Sequence, residues 1–349
     1  MRALVYDAFG ATPEVREVPD PVPPPDGVVV RVEATGLCRS DWHAWAGHDP
    51  GIRLPHVPGH ELAGTVQAVG ERVRSWRPGD RVTAPFVCGC GSCAQCRAGD
   101  QQVCPHQTQP GFTHWGSFAE LVALEAAEVN LVGLPVDLTA EAAAGLGCRV
   151  ATAFRAVLDQ GRARPGEWVA VHGCGGVGLS AVMVAVAAGA RVVAVDVDVA
   201  ALDLATRLGA ETVVDASTPP RTAEVVRAVT GGGAHLSLDA LGSPVTAAAS
   251  VAGLRPRGRH VQVGLLPEGD GPTPVPMHLV VARELELLGS HGMPAHDYPR
   301  LLGLVGAGRL RPELLVTRRL GLEEAGPALA SLAAPGRRTA GITVVDPRR

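Results

Sequence analysis

Residues 168–196 read WVAVHGCGGVGLSAVMVAVAAGARVVAVD, and this stretch decides the fold. The apolar run Trp168–Gly173 has the character of a buried strand, and it opens into Gly173-Cys174-Gly175-Gly176-Val177-Gly178 before a helical stretch, Val177–Ala188. Glycines in the order G-x-G-x-x-G allow a tight turn and let a pyrophosphate come close to the helix N-terminus. A second strand, Arg191–Asp196, ends on a carboxylate 23 positions after Gly173. There it can accept hydrogen bonds from the adenosine ribose hydroxyls, and it would repel a 2′-phosphate, so NAD is favoured over NADP. Asp198 is the better placed cap for the helix that follows, which leaves Asp196 free. The uncharged run from Gly173 to Ala190 is long enough to be mistaken for a membrane span. Its first six residues contain four glycines, which suits a phosphate-binding turn instead.

The same alternation continues outward. Strands are predicted at Glu211–Val214, Leu236–Asp239, Arg259–Gly264 and Glu286–Gly289, with helices at Ala200–Leu208 and Thr222–Thr230. Six strands with intervening helices predict a parallel sheet. Before residue 165 the chain reads as mostly β: strand-like segments lie around Val28–Val32, Gly64–Gly70, Arg81–Val87 and Phe118–Leu124, and the turn-rich PDPVPPPDG occupies residues 19–27. The tail from about 291 holds two more helical stretches and a final strand near Ile342–Val345. A length of 349 residues is more than twice the ~150 that serve as a prior for one domain. The expected division is a β-rich domain of residues 1–150 plus 291–349 wrapped around a doubly wound domain, 151–290.

Composition narrows the function classes. The chain is 46% hydrophobic and 19% charged, which suits a soluble globular protein. Its 31 basic residues are all arginine and its net charge is -4. With 3% aromatic residues it offers neither the basic field nor the stacking surfaces of a nucleic-acid partner. No secretory signal is read at Met1–Gly10, so a cytoplasmic, reducing compartment is expected. There, clusters among the eight cysteines are expected to bind metal rather than form disulfides.

Cys90, Cys93, Cys96 and Cys104 follow one another at spacings x2, x2 and x7. Four thiolates so close together can wrap one tetrahedral Zn²⁺, fixing a lobe at 88–105 that has few apolar residues of its own. The ferredoxin pattern closes on x3, and here the last gap is longer. With four protein ligands such a metal has no open position and holds structure. Elsewhere, Cys38, His60 and Cys148 could give a zinc with three protein ligands and an open fourth site, or be two buried thiols and an ordinary histidine. Spacing alone leaves both readings open.

Taken together, the motifs resemble the zinc-dependent alcohol dehydrogenases of the medium-chain dehydrogenase/reductase superfamily over nearly the whole chain. Their order is Cys38-Arg39-Ser40-Asp41-Trp42-His43, then Gly59-His60-Glu61, the four-cysteine lobe, Gly145-Leu146-Gly147-Cys148 and the glycine turn. The resemblance implies a doubly wound α/β Rossmann coenzyme domain and a β-rich GroES-like catalytic domain, with substrate in the cleft between them. It implies a catalytic zinc on Cys38, His60 and Cys148, with Glu61 an occasional fourth ligand, and a structural zinc on the lobe. By the same similarity Asp41 orients His60, Ser40 contacts the substrate hydroxyl, His43 ends a proton relay and Arg39 pairs with the pyrophosphate. The implied reaction is reversible: zinc acidifies an alcohol hydroxyl, and hydride passes to NAD to leave an aldehyde or ketone. A homodimer or homotetramer is implied as well.

Two departures from the family pattern stand out. No basic residue follows Asp196 within five positions, and the last strand carries Gly341-Ile342-Thr343 where relatives often keep an arginine. Cys88 and Cys174 fit neither zinc. His48, Trp42, Trp45, His114 and Trp115 lie in segments that could line a substrate site or could equally be surface or core. The alternatives to alcohol oxidation are a zinc-free reductase of the same superfamily, a polyol, amino-alcohol or formaldehyde dehydrogenase, and a non-catalytic zinc- or redox-responsive binding protein.

Overall fold

The structure, a computed structural model, describes residues 1–217, 221–266, 273–332 and 340–349. The chain divides into two compact units. One comprises Met1–Ala151, Gly292–Ala307 and Pro312–Arg349; the other comprises Thr152–His291 and Gly308–Arg311.

In the first unit β1 (Arg2–Val5) pairs antiparallel with β2 (Glu14–Glu17). The larger sheet is organised on β3 (Val28–Leu37), which pairs antiparallel with β4 (Glu61–Val69); β5 (Arg81–Thr83) extends it, β6 (Leu121–Leu124) joins β3, and β7 (Val132–Gly133) joins β5. Val28, Val30 and Val32 of β3 face a core with Leu62, Val66, Val82 and Val122, and Arg31 between the last two is the one exposed residue of a strand buried over most of its length. The strand expected to run to Val87 stops at Thr83. Pro85 has no N–H to give a ladder, and the Phe86 amide donates instead to Gly147 O at 2.9 Å.

The second unit is a six-stranded, all-parallel sheet. Its strands are β8 (Trp168–His172), β9 (Arg191–Asp196), β10 (Thr212–Asp215), β11 (Ala234–Asp239), β12 (Leu254–Gln262) and β13 (Glu286–Gly289), in the order β10-β9-β8-β11-β12-β13. β8 and β9 are valine-rich and buried almost throughout, as strands covered on both faces require. β12 begins five residues earlier than expected because the chain passes Pro256 and Arg257, whose φ is +63°, with the β11–β12 register slipping between Ala234 and Leu236. Two helices not singled out from sequence are Pro244–Ala252 and Met277–Arg283; the first carries a Ser243 cap and proline at its start, a signal that was available.

The chain returns to the first unit, where β14 (Val316–Gly321) runs parallel to β15 (Ile342–Asp346), and β15 pairs antiparallel with β3 so that Thr343 lies opposite Leu37. The stretch behind the glycine turn forms a twelve-residue helix, Gly176–Ala187. Among the described residues no helix is long and apolar enough to cross a membrane.

Candidate metal and cofactor sites

The cysteine lobe is a short helix, Ala94–Ala98, entered through Cys93 and left through Gly99 at φ +92°. The ligand atoms of Cys90, Cys93, Cys96 and Cys104 all lie within 4.8 Å of one another. Cys93 and Cys104 sulfurs stand 3.7 Å apart, and Cys90 and Cys96 sulfurs 4.0 Å apart. A tetrahedron with Zn–S bonds of ~2.3 Å has edges of about 3.8 Å, so the spacing fits the ion. Backbone amides already point at sulfur: Cys90 N–H donates to Cys104 at 3.4 Å, Cys96 N–H to Cys93 at 3.4 Å and His106 N–H to Cys104 at 3.3 Å. The Cys90 thiol is pushed down to about 5, chiefly by its hydrogen bond with Ser92, which favours the thiolate a metal needs.

The second cluster gathers distant positions. Cys38 is the cap residue of the helix Arg39–Trp45, His60 immediately precedes β4 and Cys148 lies in a wide π-helical turn, Leu146–Val150. Together with Glu61 their ligand atoms lie within 4.8 Å of one another. Asp41, fully buried, binds the pieces into one frame: its carboxylate accepts from Cys38 N–H at 2.9 Å, Gly59 N–H at 3.2 Å and His60 Nδ1 at 2.8 Å. Gly59 must be glycine, because its φ is +105° and a Cβ would meet Phe118 and Ser117 at 2.8 Å or less. With Nδ1 held, His60 keeps Nε2 buried and, among the described residues, without a hydrogen-bond partner. Such an orphan costs free energy unless something occupies it, and two thiols beside an unpaired imidazole nitrogen are a zinc donor set. The Cys38 thiol is held well below its usual value by the hydrogen bond with Cys148 and by the nearby His60, against burial.

Arg149 was not anticipated. Its guanidinium grips Glu61, Nε donating to Oε1 at 2.8 Å and Nη2 to Oε2, its own N–H adds a bond to Oε1 at 3.1 Å, and Nη1 reaches Leu37 O at 3.3 Å. Both side chains are buried. Burial raises the Glu61 pKa, and Arg149 opposes that shift.

Ser40 Oγ lies 3.8 Å from Cys38 Sγ. Arg39 places its guanidinium over the Trp42 ring, 5.9 Å from the centroid, and His43 is engaged by His48 through their Nδ1 atoms at 3.0 Å. Trp45 and Trp115 spend their indole N–H groups on backbone, Ala11 O at 2.6 Å and Pro55 O at 3.0 Å.

In the second unit Gly173 has φ +88°, and a Cβ on Gly178 would lie 1.8 Å from Gly173 O, so turn and helix touch through these glycines. At Gly175, the residue before the helix, a Cβ would meet nothing within 4 Å, and the space over the helix N-terminus is open for a phosphate. Val177 lies in the first turn of that helix, after Gly176. Asp196 ends β9 beside this turn. Its carboxylate accepts from Cys174 N–H at 2.5 Å, Val197 N–H at 2.7 Å and Asp198 N–H at 2.9 Å, so it fastens the turn as well as facing it. Asp198 caps the next helix through Ala200 N–H at 2.9 Å. Cys88 and Cys174 are buried; burial pushes the Cys88 thiol up to about 12 and raises Cys174 too, as befits packing thiols.

A parallel nucleotide-binding sheet joined in one chain to a β-rich unit with two zinc donor sets defines the class of zinc-binding dehydrogenases. Residues 24–135 match the profile described as alcohol dehydrogenase GroES-like domain, and residues 176–307 match that of zinc-binding dehydrogenase. An alcohol dehydrogenase of Rhizobium meliloti (strain 1021) is 37% identical over 89% of each chain. An NAD-dependent alcohol dehydrogenase of Sulfurisphaera tokodaii is 32% identical over 95% of this chain and 96% of its own. The crystal structure of the alcohol dehydrogenase from the archaeon Aeropyrum pernix superposes with a TM-score of 0.88 at 30% identity, covering 99% of this chain and 100% of the other. The chain belongs to the zinc-dependent alcohol dehydrogenases of the medium-chain dehydrogenase/reductase superfamily, oxidoreductases that act on alcohols.

Proposed function

We propose that the protein interconverts an alcohol with its aldehyde or ketone using NAD, and that each chain holds two Zn²⁺ ions, one catalytic and one structural. The observation that carries this reading is the buried, unpartnered Nε2 of His60 among the thiols of Cys38 and Cys148. Zinc supplies Lewis acidity toward the alcohol hydroxyl, and NAD supplies the hydride acceptor. Asp41 fixes the tautomer of His60 and so aims its lone pair. Glu61 is the reserve ligand. Ser40 takes the hydroxyl proton and passes it toward His43, whose pKa is lowered by burial and by Arg39, so that it is neutral and able to accept. Cys90, Cys93, Cys96 and Cys104 hold the structural ion.

The cofactor's pyrophosphate is assigned to the turn Gly173, Gly175, Gly176, Val177 and Gly178, with Arg39 as its cation, and its adenosine ribose to Asp196. An additional acceptor site on that carboxylate, beyond the three amides it already takes, supports NAD over NADP. Residues 1–150 with 291–349 are read as the catalytic domain and 151–290 as the coenzyme domain. A homodimer or homotetramer is supported by β13, a sheet edge with Leu287 exposed on it and Met277 and Val281 exposed on the helix before it. A reducing cytoplasm suits eight free thiols.

The test is zinc content by mass spectrometry together with rates on a panel of primary, secondary, aromatic and polyol alcohols with NAD and with NADP. Two zinc per chain and NAD-linked turnover are expected; one zinc per chain, or a strong NADP preference, overturns the corresponding assignment. Ser40→Ala should lower kcat by ~10²-fold or more with both zinc ions retained.

A further inference from the structure

The helix Arg39–Trp45 is followed by Ala46, Gly47 and His48, and the chain turns back on itself there. Gly47 takes φ +81°, and His48 N–H donates to His43 O at 3.0 Å, so an exposed histidine is folded against the half-buried one in the last turn of the helix. Their Nδ1 atoms stand 3.0 Å apart. Two bare nitrogens would repel at that distance, as would two N–H groups, so one ring carries the proton and the other accepts it. The geometry is braced from the side: the Trp42 ring meets His43 edge-on at 5.0 Å and His48 at 5.4 Å between centroids. An exposed histidine held by backbone and by an aromatic wall, with its nitrogen on another histidine, is more than a surface residue.

We propose that His48 is the outlet of the proton path, taking the proton from His43 and delivering it to bulk water. This rests on the assignment of His43 as relay group made above. A proton reaching His43 at Nε2, the nitrogen left free when Nδ1 faces His48, releases the proton on Nδ1 to Nδ1 of His48. His48 then loses its Nε2 proton to water; both rings are left as their other tautomers and return by ring reorientation and proton exchange with water before the next turnover. In carbonyl reduction every transfer runs backwards, and water supplies the proton. The charged and titratable groups acting on His43 are Arg39, Cys38 and His48 itself. Asp49 follows His48, and its Oδ1 is engaged by Gly51 N–H at 2.8 Å. Because His48 acts through His43, it positions and transfers without touching substrate.

The experiment uses the zinc-loaded, full-length enzyme and follows proton release in a single turnover of alcohol oxidation with a pH-indicator dye in weak buffer. His48→Gln keeps a polar side chain that cannot shuttle a proton. In this variant proton release should slow by about tenfold below pH 7, alcohol KM should stay as in the wild type, and added imidazole should restore the rate. Wild-type proton release, or a slowed rate that imidazole does not restore, overturns the proposal. His43→Gln run in parallel separates the two assignments. A slow His43→Gln with a wild-type His48→Gln sinks the outlet alone, whereas a wild-type His43→Gln sinks the relay reading and the outlet with it.

Discussion

Arg149 balances a buried charge beside the donor set of Cys38, His60 and Cys148. Glu61 is buried with its carboxylate shared between the donor cluster and this guanidinium. Room for the pair comes from Gly36, where a Cβ would lie 1.9 Å from Glu61 Oε2 and 2.5 Å from Arg149 Nη2. Arg149→Met should therefore cost about 3–5 kcal/mol in urea unfolding, because it strands a buried carboxylate. Combining it with Glu61→Gln should recover a large part of that loss. The cysteine lobe was legible because all four ligands sit within fifteen residues and spacing alone encodes the polyhedron. That Cys38, His60 and Cys148 come together was expected only through the family resemblance, since nothing local marks a thiol as a ligand. The Arg149–Glu61 pair spans 88 positions and has no local pattern at all, so it emerged only once the chain was folded.

At the level of elements, the glycine turn behaves as its spacing implied. Gly178→Ala would drive a methyl group into the carbonyl of Gly173, and NADH binding, followed by fluorescence titration, should weaken by about 5- to 150-fold if relief costs ~1–3 kcal/mol. Strand His172 adds a property that the apolar reading of β8 had no means of showing. Burial pushes its imidazole down to about 4, whereas in the unfolded chain it titrates near ~6.5. The folded state then refuses a proton that the unfolded state accepts. Stability is full above pH 6.5 and should fall by up to about 3 kcal/mol as the pH drops through 4. Urea unfolding of the metal-free protein at pH 7 and pH 5 measures the slope, and His172→Phe should flatten it. Within the second unit β8 and β9 were the most legible strands, because they are nearly continuous apolar runs. The start of β12 was less so: it includes Pro256, in the irregular stretch where its register with β11 slips and where local rules place a stop.

On the scale of the whole molecule, two parts of very different self-sufficiency share one chain. The parallel sheet is built on a continuous apolar core, with Trp168, Ala170, Val193, Val195 and Leu254 all buried in it, and needs no ion to persist. The lobe at 88–105 has Val103 half exposed and few apolar residues to collapse upon, so its order depends on what its sulfurs bind. Stripping the metal with a chelator should accordingly lower the melting temperature of the protein in calorimetry while leaving the NADH affinity of the second unit close to its starting value. The closeness of those sulfurs has a further consequence, one of ageing. Thiols 3.7 Å apart need to close by less than 2 Å to form a bond of ~2.05 Å. A zinc ion held by this lobe would also act as an antioxidant: metal loss under a reductant should be reversed by adding the ion back, and the same loss in air should become permanent as the empty cage oxidises shut.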